Sequence, residues 1–392
     1  MDRLELFPIG ASITIDELTS SPYKALARLR STEPVSWIPA LGAWFVTRRD
    51  LSIEAMRDPE RFTVDDERFT TAQVMGTSML SLDGPEHARH RRAFTGPFRP
   101  KYVREQLEGR IAAQAAQLVA DTFDGAGEIR TGVAGPLAVQ TILDVLGLDD
   151  VDAADVLSWY GAFGDAIVAL TVGNEVPTEV HGTLSQLYEY VGAAMGSDDA
   201  GLISQLVRDD VLRSEEIPAA VAVVMFGAIE TSEAMTTNAF WHLLTNSDQW
   251  DRLRNDRSLI AAAIDESLRL EPAASWIDRY TTADADLGGT TIPAGELVTI
   301  NLLAANRDPD VFEQPDEFDI DRPNLAQHVT FVQGPHACIG LHVARAETHA
   351  AIAAALDWEE TTGQELALDA DNSSAPFGLI FRKATAVSVT AQ

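Results

Sequence analysis

Cysteine is nearly absent: one residue, Cys338, in 392. No intrachain disulfide can form, which suits a reducing compartment. Positive charge is scarce too. Lys and Arg number 29 against 60 Asp and Glu, a formal net charge of −31, so nucleic acid and anionic membrane surfaces are poor partners. The opening MDRLELFPIG has acids and a proline where an export signal needs a basic start and an apolar run, and a cytoplasmic location is the expectation. The longest apolar run, Ile217 to Ile229, contains Pro218 and falls short of the roughly 20 residues of a membrane span. Repeats, low-complexity tracts and linkers are also missing, so residues 1–392 read as one domain. Few residues follow Cys338, so no fused flavin or iron–sulfur domain is expected, and electrons, if needed, are expected to come from a separate protein.

What is present is an ample apolar fraction, 46%, in mostly helical patterns. Helical spacing is predicted for Leu51–Met56, from Pro85 onward, for Val103–Phe123 and for Val139–Leu146. Residues 155–195 read as two helices joined by a mobile turn. Ser214 to Asn246 reads as one long helix capped by Ser214, apolar on all sides in its middle and so destined for the core. Strands are predicted in 34–48 around the Leu41-Gly42 turn, at Ile277–Thr282 and Leu297–Ile300, and in the tail at Leu379–Phe381 and Val387–Val389.

Around Cys338 the sequence runs FVQGPHACIGLHVARAE. Gly334 and Gly340 permit close backbone approach to a flat group, and Pro335 stiffens the loop. The apolar helix that follows places its positive end beside the sulfur, which favours thiolate over thiol. A free cysteine can equally be a small buried hydrophobe; its neighbours discriminate. Phe331, Gly334, His336, Cys338, Gly340, Ala344 and Arg345 together resemble the cysteine-ligand loop of the cytochrome P450 superfamily. One position departs, since Val332 stands where that family usually has its first glycine.

Other segments extend the resemblance in the same chain order, from about Pro22 to Phe381. Gly227-Ala228-Ile229-Glu230-Thr231-Ser232 is similar to the family's Ala-Gly-x-Glu/Asp-Thr-Thr, where the central helix loosens beside the iron. The resemblance gives Thr231 a hydrogen bond to bound dioxygen and Glu230 a part in proton relay. The inverted Gly-Ala order puts the Ala228 methyl against the cofactor and tightens the oxygen pocket. Glu266 and Arg269, three apart on a helix that Pro272 ends, match the family's bracing pair, with Arg322 as third member. His87 and Arg91, one turn apart, resemble a His-x-x-x-Arg beside the haem and join Arg279 and His336 as propionate partners, since arginine forks suit carboxylates. Phe331, Gly340 and Ala228 complete the cofactor contacts.

The resemblance implies a mainly α fold with smaller β-sheet regions, a triangular helical prism. Haem b would lie between the long helix and the cysteine loop, with Cys338 as axial ligand of the iron. It implies a monooxygenase inserting one atom of dioxygen into a hydrophobic or aromatic small molecule, in secondary metabolism or catabolism. Electrons would come from NAD(P)H through a ferredoxin or flavodoxin and its reductase. Alternatives are oxidative coupling or peroxide-driven oxidation on the same haem, and, in another class, a non-catalytic haem sensor. Between His87 and Arg104 lie several basic residues and no acid, so Arg89, Arg92, Arg99 and Lys101 are expected to dock an acidic electron carrier. The substrate pocket is expected at Phe62, Phe69, Met79, Val224, Trp276 and Phe377, with Met75 nearby.

Overall fold

A computed structural model describes residues 2–123, 126–148, 151–197 and 201–392. Helices dominate, and the sheets are small and peripheral. The largest sheet is built from β1 (Val35–Ile38), β2 (Ala43–Val46), β3 (Phe62–Thr63), β4 (Trp276–Thr281) and β5 (Leu297–Asn301), in the order β1-β2-β5-β4-β3. β1 and β2 form the hairpin expected around Leu41-Gly42, while β2 runs parallel to the far-downstream β5, with Trp44 opposite Val298.

The helices that position the site are α1 (Gly84–Phe94), α2 (Glu108–Thr122), α3 (Ala153–Thr171), α4 (Thr178–Met195), α5 (Ile217–Thr245), α6 (Ile260–Leu270) and α7 (Leu341–Thr362). α3 and α4 are the two helices expected in 155–195. α5 is the axis of the protein: Val221 to Phe226 are all buried, as are Ile229 and the run from Ser232 to Phe240. Such a helix has no solvent face, so it can sit only where other helices cover it on every side. Taken whole, α5 is long and apolar enough to cross a membrane by length and composition, and 78% of its most apolar window is buried within the protein. It behaves as a core helix.

Three local expectations change. α5 begins at Ile217, and Ser214 does not cap it; Glu216 stands at its N-cap and gives its carboxylate to Arg89 and Arg213. The helix also runs unbroken past Thr231, whose hydroxyl donates to the Gly227 carbonyl one turn back (2.5 Å), so the loosening expected there is not observed. In the tail, Leu379–Phe381 makes only an isolated bridge, Phe381 to Ala274; the short strands lie on either side, at Pro376–Phe377 and Lys383–Ala384.

Candidate functional site

Between the middle of α5 and the loop before α7 lies a cavity of about 320 Å³. Its roof is α5, through Val224, Gly227, Ala228, Thr231 and Met235; its floor is Phe331, Cys338, Gly340 and Ala344. The walls are apolar apart from a few charged groups. Arg91, Arg279 and His336 gather near the floor, and Asp278 lies on β4.

The floor loop is held by backbone geometry that few residues tolerate. The Cys338 amide donates to the Phe331 carbonyl (2.8 Å), and Val332 to Val329 (2.8 Å). Gly334 has φ +78°, and a Cβ there would lie 2.5 Å from the Met56 carbonyl oxygen, so only glycine fits. Val332 adopts φ +61°. A β-branched residue is thus held in the left-handed region, at a local cost of about 1–3 kcal/mol. The Arg345 guanidinium, 4.9 Å from the Phe331 ring, packs over that ring and pairs with Asp265 (2.7 Å).

Burial pushes the Cys338 thiol up, against the backbone amides of Gly340 and Leu341 and the positive charge of Arg91, which favour ionisation. A sulfur so placed ionises when a cation binds it. Arg279 is buried, with its Nη2 unpartnered, and burial pulls its guanidinium down to about 10. Arg91 Nη2 donates to the Ala337 carbonyl (2.7 Å). His336 Nε2 is 2.8 Å from Asp83 Oδ1. Burial alone would raise the Asp83 carboxyl, but His336, Thr63 and the Val64 amide hold it at about 2. His87 is not in the cavity wall; it stacks behind His336, ring centroids 4.3 Å apart, with Nε2 unpartnered. One soft anionic ligand below an apolar slot, with an unsatisfied guanidinium at its edge, fits a haem: iron to sulfur, propionates to cations.

Other expected residues fall differently. Phe69, Met79, Val224, Trp276 and Ala228 line the cavity. Phe62 does not: as part of β3 it is fully buried in the core beneath the sheet. Phe377 is 50% exposed, on a hairpin whose neighbours Ile380 and Phe381 reach the cavity instead. Met75 is core, its carbonyl taken by the Tyr188 hydroxyl (2.9 Å). Glu230 is buried outside the cavity wall, with Oε1 2.9 Å from Lys383 Nζ. Lys383 also bonds Glu233 (2.5 Å). Arg89 is not free to dock a partner, because Glu86 and Glu216 both grip its guanidinium (2.6 and 2.8 Å).

Glu266, Arg269 and Arg322 meet as one buried cluster: Arg269 Nε to Glu266 Oε2 at 2.7 Å, Arg322 Nε to Glu266 Oε1 at 3.2 Å. Sequence reasoning missed Glu347. It lies on α7, 2% exposed, with the hydroxyls of Ser232 and Thr141 favouring its ionised form and with Oε2 unpartnered. Its position nine residues after Cys338, on a largely apolar helix, was the available signal. Burial pushes its carboxyl up to about 8. The folded state therefore keeps a proton that the unfolded chain releases above pH ~4.3, and stability falls as pH rises from there through the folded value. We expect Glu347→Gln to remove this loss. Melting temperatures from pH 6 to 9 should decline in the wild type and stay nearly level in the variant; parallel curves would refute the assignment.

Comparison with known proteins agrees with this geometry. The family model "Cytochrome P450" matches residues 195–358. The chain is similar to cytochrome P450 monooxygenase PikC of Streptomyces venezuelae, 32% identical with 90% of this chain and 86% of that protein covered. It is also similar to the vitamin D(3) 25-hydroxylase of Pseudonocardia autotrophica, 34% identical with 85% of each covered. Among solved structures, P450BioI in complex with an acyl carrier protein superposes with a TM-score of 0.83 at 27% identity, covering 94% of this chain and 98% of that one. The chain thus belongs to the cytochrome P450 family, as a haem-dependent monooxygenase that draws electrons from NAD(P)H through redox partner proteins.

Proposed function

We propose that the chain is a single catalytic unit working in the cytoplasm, which hydroxylates, epoxidises or dealkylates a largely apolar small molecule held between α5 and the cysteine loop. The observation that carries this reading is the cavity itself: Cys338 and Thr231 face one apolar space from opposite sides. When bound, haem supplies the oxidising chemistry. Cys338 holds its iron, Arg91, Arg279 and His336 hold its propionates with His87 supporting His336, and Phe331, Gly340 and Ala228 pack against the ring.

The protein's own residues do the rest. The Thr231 hydroxyl, bonded back to Gly227, is fixed at the roof, where it can accept one proton and pass on another. Glu230 stands behind it. Burial raises its carboxyl, while Lys383 works to keep it ionised. The Lys383 side chain is 17% exposed, which gives protons a path from solvent to a carboxylate otherwise sealed off. The apolar walls exclude bulk water and orient the substrate.

A compound library screened on the haem-loaded enzyme for a low-to-high-spin shift, followed by turnover under ¹⁸O₂ with a surrogate reductase, tests the reading. One labelled oxygen in the product is expected; unlabelled, dimerised product would favour oxidative coupling, and no product with any binder would favour a sensor.

For the electron carrier, a ferredoxin or flavodoxin, Arg92, Arg99 and Lys101 remain as docking cations. All three are exposed, and among the described residues none forms an ion pair. Arg99 and Lys101 flank Pro100, which lines a groove between α2 and α7 that presents Arg104, His342, Arg345 and His349 along with Glu108 and Asp357. We expect Arg99→Glu with Lys101→Glu to slow reduction by an acidic ferredoxin about tenfold or more at low ionic strength, with the gap closing as salt rises. A rate unchanged at low salt would place the partner elsewhere.

A further inference from the structure

Asp278 is the only acid among the residues that line the cavity. It belongs to β4, where alternation turns it to the opposite face from Arg279, toward the side on which Trp276 packs against Phe45. Thr299, its partner across the ladder with β5, donates to Oδ1 at 2.8 Å. Among the described residues nothing donates to Oδ2, and that oxygen is not among the enclosed, unpartnered atoms. Asp278 keeps partial exposure and is one of the residues lining the cavity, as are Phe69, Thr70 and Thr71.

An acid kept only for structure would have both oxygens satisfied, because an unpaired carboxylate away from bulk water is costly. The other charged cavity residues, Arg91, Arg279 and His336, gather toward the cysteine and are engaged by the haem reading. The cation nearest the carboxyl in the chain, Arg279, acts on it only through its charge, since its Nη1 donates to the Asp278 main-chain carbonyl (2.7 Å). Burial pushes the carboxyl up to about 6, so it is mostly ionised at neutral pH.

We propose that Asp278 is a specificity-determining residue that selects substrates carrying a cationic nitrogen, held against Oδ2 while the apolar body lies over the cysteine loop. This rests on the monooxygenase reading of the same cavity. A positive group here completes a charge pair, and an anion would be repelled by the carboxylate.

The probes are decyltrimethylammonium, decan-1-ol and decanoate, which share an apolar chain and differ in head-group charge; the quaternary nitrogen cannot ligate iron. Their affinities for the haem-loaded enzyme are measured by calorimetry, for the wild type and Asp278→Asn. We expect the wild type to bind the cation at least about tenfold more tightly than decanoate. The variant should lose that preference, with decan-1-ol affinity changed less than about twofold. If Asp278→Asn does not fold, Asp278→Ser serves the same comparison. A preference that survives the substitution, a wild type that favours the alcohol or the anion, or one that binds none of the three overturns the proposal. A native thiolate-type carbonyl spectrum in each sample separates these outcomes from failure of the monooxygenase reading, which would remove that spectrum altogether.

Discussion

Cys338→Ser should yield a folded protein whose ferrous carbonyl complex lacks the thiolate-type red shift and whose monooxygenase turnover drops to background. The argument is one of charge and softness. The sulfur sits among apolar groups at the start of α7, with amide donors and arginine charge favouring its anion. No other side chain on the cavity floor can become an anionic ligand, since Phe331, Gly340 and Ala344 offer none. A serine hydroxyl fits the space but ionises far less readily than a thiol, so it leaves iron without strong electron donation. Haem can still be retained through the arginines and apolar walls, which makes the spectrum a sharper readout than haem content. A red-shifted carbonyl band in the serine variant would show that the ligand lies elsewhere.

Glu266→Ala should be the most destabilising single change outside that loop, by about 3–5 kcal/mol. Glu266 and Arg269 are fully buried and Arg322 nearly so. Glu266 accepts from both Arg269 nitrogens, from Arg322 and from the Asp319 amide. Removing the one acid leaves two guanidiniums without a counter-charge in the core. Arg269 would keep carbonyl partners at Asn306, Pro315 and Glu317, which limits the loss but does not neutralise charge. The cluster also reaches the cysteine loop, because Thr330 Oγ1 donates to the Leu268 carbonyl (2.8 Å) on the same helix. Denaturant midpoints and haem retention should therefore fall together. A midpoint shift below about 1 kcal/mol would mean that the cluster contributes little beyond packing.

The site was legible in sequence wherever its parts are close in the chain. The loop around Cys338, the α5 segment around Thr231 and the pair Glu266–Arg269 each sit within a few residues, so spacing alone places them on one loop or helix face. Partners that depend on tertiary approach were not visible. Lys383 meets Glu230 from 153 positions away, and Glu216 reaches Arg89 across 127. Nothing local distinguishes such residues from solvated charges. Phe62 and Phe377 failed for a related reason: an aromatic near the cavity in sequence can face the core, as in β3, or solvent, as at the tip of a hairpin. The loosening expected near Thr231 is absent: the helix continues through it, with the Thr231 hydroxyl on the Gly227 carbonyl.

Val332 imposes a condition on assembly. A valine pays conformational energy to hold φ +61°, offset in part by the Val332–Val329 and Cys338–Phe331 backbone bonds and by packing of its side chain, and a bound ring would add further contacts. Without cofactor, residues 331–338 should therefore exchange their amide protons quickly and be cut first by proteases, then become protected as haem enters. Maturation would be a local folding reaction, in which the last segment to set is the one that carries the ligand.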